Sequence, residues 1–179
     1  MDDISLIIHD TSWKSVTLLR MDPLFEFALL LKAIQRELER RINEAMDPLG
    51  ITAAQADALL VIGQAQPLSL KDLGDLLIAE AGHPSRLVDR LVDAGLVRRR
   101  VSSVDRRQVE LSLTSHGRRL ARRVSVARSS VSDMARQLIG DLDLDPTLEL
   151  LRGLSRYTSY GELIQRRREL PEADSVSTP

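Results

Sequence analysis

The sequence predicts a mainly α-helical protein that carries one small β-hairpin, and three observations predict it. Both ends of the chain hold long stretches with apolar residues three and four apart, and capped shorter helical segments fill the middle. Between Gly95 and Gly117, in GLVRRRVSSVDRRQVELSLTSHG, the period drops to two. A helix repeats its face about every 3.6 residues and a strand every second residue, so this change of period marks a change of element.

Taken in order, residues 1–22 show no steady period and hold the only tryptophan, Trp13; they are expected to form a flexible N-terminal extension. From Leu24, the positions Leu24, Phe27, Ala28, Leu31, Ile34, Leu38, Ile42 and Ala45 make one apolar face, and Asp47-Pro48-Leu49-Gly50 ends that helix. Thr52-x-x-Gln55 is a capping box that opens a second helix to about Ile62, with Leu59 and Leu60 inward. A loop from Gly63 to Leu68 follows. Ser69-x-x-Asp72 starts a third, short helix, expected to run through Leu77 and to bury Leu70, Leu73, Leu76 and Leu77.

Pro84 suits the first position of a fourth helix, because the N–H it lacks would have no partner there. Leu87, Val88, Leu91 and Val92 form its apolar stripe, and Ala94-Gly95 closes it, so the helix is placed at Pro84 to Asp93. Leu96 to Val101 and Gln108 to Leu113 are the two strands, the second alternating Val109, Leu111 and Leu113 with Gln108, Glu110 and Ser112. Ser102-Ser103-Val104-Asp105 is turn chemistry, and Arg106-Arg107 lies at the tip. Two short helices joined by a turn, the second amphipathic and followed by a basic hairpin, are the order of a winged helix-turn-helix.

After the hairpin, Thr114 caps a long helix. Gly117, Leu120, Val124, Ala127, Val131, Met134 and Leu138 form a heptad seam in it, narrow and suited to a partner helix. Asp145-Pro146 opens a last helix, expected to be continuous, with Leu148, Leu151, Leu154, Tyr157 and Leu163 inward and Arg166-Arg167-Arg168 at its end. Residues 170–179 read as a disordered tail.

Composition limits the function. The chain has 179 residues, 43% of them hydrophobic, enough for one good core or a small domain plus an oligomer interface. With no cysteine, disulfides, thiolate metal sites and thiol redox sensing are excluded. The longest uncharged run, Ala58 to Leu70, falls short of the roughly 20 apolar residues a membrane span needs. Asp2-Asp3 precedes the apolar patch Ile4 to Ile8, a poor signal peptide, so a cytoplasmic location is expected. The net charge of −1 hides an asymmetry: twelve arginines against four acidic residues give +8 between Arg86 and Arg128, leaving −9 elsewhere. One-signed patches on a near-neutral protein are the footprint of a nucleic-acid binder; Arg118, Arg119, Arg122 and Arg123 also read as the solvated face of a helix.

Three sets of residues carry a resemblance over about Leu24 to Leu163. They are Ile51-Thr52-x-x-Gln55, then Leu87-Val88-Asp89-Arg90-Leu91 with Gly95-Leu96-Val97, then Asp105-x-Arg107 followed by Leu113-Thr114-x-x-Gly117. In these the chain resembles the MarR family of bacterial transcription regulators. The resemblance implies a homodimer that binds a pseudo-palindromic operator on double-stranded DNA, commonly a repressor released by a small apolar or aromatic ligand, with no cofactor and no membrane. It implies a dimerisation region at 23–50, a winged helix-turn-helix DNA-binding domain at 51–114 and dimerisation helices at 115–169. On the last two helices it implies Leu120, Val124, Val131, Met134, Leu138, Leu151, Leu154 and Tyr157 as dimer contacts. A start at Met21 would give a length more usual for the family. One departure stands out: Ala81-Gly82-His83-Pro84-Ser85 replaces the more common Asp-Arg-Ser-Thr-Val type of run, which makes base contacts easier to transfer to Ser85 and Arg86 than to His83.

Arginines that neutralise phosphates release counterions and give affinity for any sequence, so specificity must come from base edges. Arg86 can donate to two acceptors of one guanine, a contact worth about 1–3 kcal/mol of discrimination. His83 and Ser85 are further base or phosphate candidates, His83 also a helix-capping or solvent-facing residue. Arg107 is long enough to enter a narrow minor groove, with Asp105 placed to hold its guanidinium. Arg106, Ser69 and Lys71 are phosphate candidates, and Arg90 either contacts DNA or pairs with a neighbouring acid such as Asp89. His9, His83 and His116 have no ligand spacing, and no nucleophile motif or phosphate loop occurs, so no enzyme is expected. The rival reading is a winged-helix module for protein assembly, which would have no need of Arg86, Arg106 and Arg107 all exposed.

Overall fold

The computed structural model describes residues 22–78, 84–102 and 108–171. The chain divides into two compact units, Met1–Leu38 and Glu39–Pro179. Helix α1, Pro23–Met46, begins in the first unit, where the Asp22 carboxylate accepts from the backbone N–H groups of Leu24 at 2.8 Å and Phe25 at 3.2 Å. An acceptor at this position satisfies donors that the first helical turn leaves unpaired. Leu24, Phe25, Leu29, Leu30 and Ile34 of this unit are exposed.

In the second unit, Met46 ends α1 wholly buried, and a 3₁₀ turn, Asp47–Leu49, leads to Gly50 in the left-handed region. Helix α2, Ala53–Ala65, opens with the full capping box: Thr52 Oγ1 accepts from Gln55 N, and Gln55 Oε1 accepts from Thr52 N. Ala56, Ala58, Leu59, Val61 and Ile62 of α2 are all buried, so this helix is the centre of the core. A two-residue strand β1, Leu68–Ser69, precedes α3, Leu70–Gly74. Helix α3 stops three residues before Leu77, where the sequence places its end, yet Leu76 and Leu77 are buried in the following turn. Burial there follows from packing and not from helix periodicity.

Helix α4, Pro84–Asp93, takes the expected bounds and buries Leu87, Val88 and Leu91. Strands β2, Val97–Val101, and β3, Val109–Leu113, pair antiparallel with Val97 opposite Leu113 and Val101 opposite Val109. Strand β1 pairs on the other edge of β3, giving the order β1-β3-β2. Thr114 then turns the chain into α5, Ser115–Ile139. Its hydroxyl accepts from Gly117 N at 2.9 Å and donates to the Gly95 carbonyl at 2.7 Å, tying the helix start to the end of α4. A Cβ on Gly117 would lie 2.0 Å from the Leu96 carbonyl oxygen, so only glycine allows this approach.

Two expectations are corrected here. Leu120 and Val124 face the core of their own subunit, Val124 wholly buried, and so are not free to contact a second copy. The first half of the heptad seam meets α2 instead and joins the core cluster of the winged domain. The last helix is also not continuous. It breaks at residues 156–160 into α6, Asp145–Ser155, and α7, Gly161–Arg168, and Leu163 is buried on the second piece. Thr158 Oγ1 donates to the Ser155 carbonyl and accepts from Tyr160 N, so local side-chain bonds replace the helical ladder at the break.

Candidate nucleic-acid interface

Helix α4 is two-faced. With Leu87, Val88 and Leu91 in the core, Ser85, Arg86, Asp89 and Arg90 face outward. Neither the Arg86 nor the Arg90 side chain makes a hydrogen bond or ion pair among the described residues. Asp89 pairs across to β2, 2.7 Å from Arg99, rather than with Arg90. That pair joins the helix to the hairpin, and leaves the guanidinium groups of Arg86 and Arg90 on one outward face.

The hairpin presents arginines along β2. Val97 is buried while Arg98, Arg99 and Arg100 are exposed. Arg98 Nε donates to Ser112 Oγ at 2.9 Å, and Ser102 donates to Glu110, which stands opposite Arg100 in the ladder. Arg99 lies on the same side of the strand as Val97, which brings it toward α4 and Asp89. His83, Asp105, Arg106 and Arg107 lie outside the described residues.

At α3 the two phosphate candidates separate. Ser69 Oγ accepts from Asp72 N at 3.1 Å and donates to the Asp72 carboxylate at 2.6 Å, so its hydroxyl is engaged in capping. Lys71 is exposed on the same short helix. On α5, Arg118 donates to the Leu113 carbonyl at 2.9 Å and to Ser115, whereas Arg119, Arg122 and Arg123 are exposed. Val131, Met134 and Leu151 are half-buried, and Leu138, Leu154 and Tyr157 are exposed.

The sequence model of the MarR family matches residues 51–109, from the capping box of α2 to the first residue of β3. The multiple antibiotic resistance protein MarR of Escherichia coli (strain K12) is 31% identical over 122 residues, 68% of this chain and 77% of that protein. The chain belongs to the MarR family. A second relative, the organic hydroperoxide resistance transcriptional regulator of Bacillus subtilis (strain 168), is 29% identical over 117 residues, 65% of this chain and 80% of its own. Among solved structures, a mutant MarR from E. coli complexed with operator DNA aligns with a TM-score of 0.62 at 28% identity, over 74% of this chain and 94% of that one. A MarR transcriptional regulator from Methanosarcina mazei, at 23% identity and a TM-score of 0.58, shares the fold.

In this MarR-family regulator, Arg98, Arg99 and Arg100 are surface residues that the reading of the sequence left unassigned. Alternation with buried Val97 was the available signal for two of them, since only one in two can point inward. A cavity of about 270 Å³ opens between α2 and α5, walled by Leu60, Leu113, Ala121 and Val126 with Gln64, Gln66 and Arg122. A more polar one of about 330 Å³ adjoins it, lined by Gln64, Ser125, Arg128, Ser132, Arg136 and Arg167. Among the described residues no three His, Asp or Glu side chains gather as a metal site, and no single helix is long and apolar enough to cross a membrane.

Proposed function

We propose that this regulator binds a pseudo-palindromic DNA operator as a homodimer, with the first turn of α4 in the major groove and the β2–β3 hairpin in the minor groove. The observation that carries the reading is the outward face of α4, where Ser85, Arg86 and Arg90 project from a helix whose other face is locked in the core. A rigid backing holds a side chain within reach of base edges, and Arg86, without a competing carboxylate among the described residues, keeps its fork for guanine. Arg107 and Arg106 extend the contact at the hairpin tip, Asp105 supports Arg107, and Lys71 takes a phosphate. Ser69 holds the start of α3 and His83 adds a contact before Pro84.

In this reading residues 51–114 read DNA, while 23–50 and 115–169 join two copies through Val131, Met134, Leu138, Leu151, Leu154 and Tyr157. The protein acts in the cytoplasm as a repressor, without catalysis and without a cofactor. A small apolar or aromatic ligand, seated in the cavity between α2 and α5, releases it. Apolar walls with a few polar groups are what such a ligand needs.

The test is fluorescence anisotropy with a duplex recovered by selection from a random pool, against a scrambled duplex at physiological salt. Preference for the selected duplex by about 10³-fold or more is expected. Arg86→Ala should lose about 1–3 kcal/mol of that preference. Arg107→Ala should weaken operator binding with dimerisation unchanged. Equal affinity of wild type and Arg107→Ala would remove the hairpin tip from the mechanism, and equal binding to both duplexes by the wild type would sink the operator reading.

A further inference from the structure

Helix α7 lies far along the chain from the helix-turn-helix, yet two of its arginines hold it. Arg167 makes a bidentate pair with Asp57 of α2, both bonds at 2.7 Å, and Nη1 also reaches the Leu76 carbonyl at 3.3 Å. Arg166 lies 3.5 Å from Asp75, the residue that caps the end of α3. Asp57 is braced from the other side by Arg128 of α5 at 3.2 Å. The hydrogen bond to Asp57 raises the Arg167 guanidinium above its usual range against the opposing effect of burial, so this is a charged group fixed in place. Leu163, buried one turn earlier, seats the helix, and Leu170 packs on the core beyond it.

These contacts converge on Asp75 and Leu76 at the end of α3, the helix that packs against α4. Helix α3 has five residues, far below the roughly 12–15 at which an isolated helix becomes even marginal, so its direction depends on what packs against it. The Ser159–Arg166 segment also borders a cleft that holds Lys71, Gly74 and Pro84, the first residue of α4. We propose that Arg167, helped by Arg166, is a positioning residue for DNA recognition. Holding the end of α3 to α2, it sets how α3 packs against α4 and so the seating of Arg86 on the operator. This rests on the operator reading above. Arg167 touches no DNA in this role. Its planar fork is what the geometry needs, because two bonds to one carboxylate define an orientation that a single ammonium cannot.

Three variants of the full chain test it: Arg167→Ala, Arg167→Lys and, as control, Arg168→Ala, whose side chain is exposed and makes no bond among the described residues. Each is measured for affinity to the selected and scrambled duplexes, for dimer mass by ultracentrifugation, and for amide hydrogen exchange over residues 70–78. Arg167→Ala should weaken operator binding by about tenfold, as expected for a group acting through a packed network, and speed exchange in α3. Scrambled-duplex affinity and dimer mass should stay unchanged. Arg167→Lys should recover part of the loss, and Arg168→Ala should match the wild type. Operator affinity unchanged in Arg167→Ala overturns the proposal, as does an equal loss on both duplexes, which marks general destabilisation. If the wild type itself prefers no duplex, the operator reading fails instead. The clamp then stands or falls on hydrogen exchange: unchanged exchange over 70–78 in Arg167→Ala overturns it.

Discussion

The winged domain and the outer half of α5 with α6 are built from the same aliphatic residues and end in opposite states. Leu59, Leu73, Leu91 and Leu111 are wholly buried, while Leu138 is 80% exposed and Leu150 of α6 53%. In the first region a helix meets another helix or the sheet on each apolar side, as α2 does with α4, α5 and β3. The second region has apolar positions on helical spacing that stay half-buried or exposed, with Met134 reached by the Arg41 guanidinium of α1 at 3.5 Å. Burial is worth about 25 cal/mol per Å² of apolar surface, so exposed leucines in a row favour a second surface to cover them. One region is therefore completed by folding, and the other is the surface that the proposed dimer would cover.

Breaking the first region should cost the most. Gly117→Ala puts a methyl group against the Leu96 carbonyl, and α5 or the hairpin must move; a loss of about 3 kcal/mol is expected, read as the urea midpoint. A midpoint within error of the wild type would mean that α5 can shift without disturbing the core. Leu138→Glu sharpens the contrast, because it alters the second region alone. Monomer stability should hold while dimer dissociation rises by about tenfold or more, read from sedimentation against concentration. An unchanged dimer would take the end of α5 out of the association surface. The smallest effect falls within the winged domain, where β3 passes into α5. Thr114→Ala removes the cap shared by Gly117 and Gly95 and should cost about 1 kcal/mol of stability, with operator preference retained.

Much of the fold was legible from local pattern. The capping box at Thr52 and Gln55, the caps at Ser69 and Thr114, the bounds of α4 and the change of period at the hairpin all depend on residues within four positions of one another. Short-range chemistry writes itself into spacing. The same reasoning placed Ser85, Arg86 and Arg90 outward, since the buried stripe of an amphipathic helix defines its opposite face. It failed where periodicity has two physical causes. A heptad seam reads alike whether it meets a partner helix or its own domain, which is why Leu120 and Val124 were misplaced. It failed also at the break between α6 and α7, where Ser155, Thr158 and Tyr160 carry no helix breaker as strong as proline.

Most element types, the family and the outward face of α4 were thus present in the linear chain, because caps, turns and amphipathic stripes are contacts between near neighbours. Long-range pairs were not. Asp57 and Arg167 stand 110 residues apart, Arg99 meets Asp89 across two elements, and Gly117 is required by a carbonyl at Leu96. No spacing encodes such meetings, since they exist only once hydrophobic burial has brought distant helices to one surface and left their charged groups to find each other.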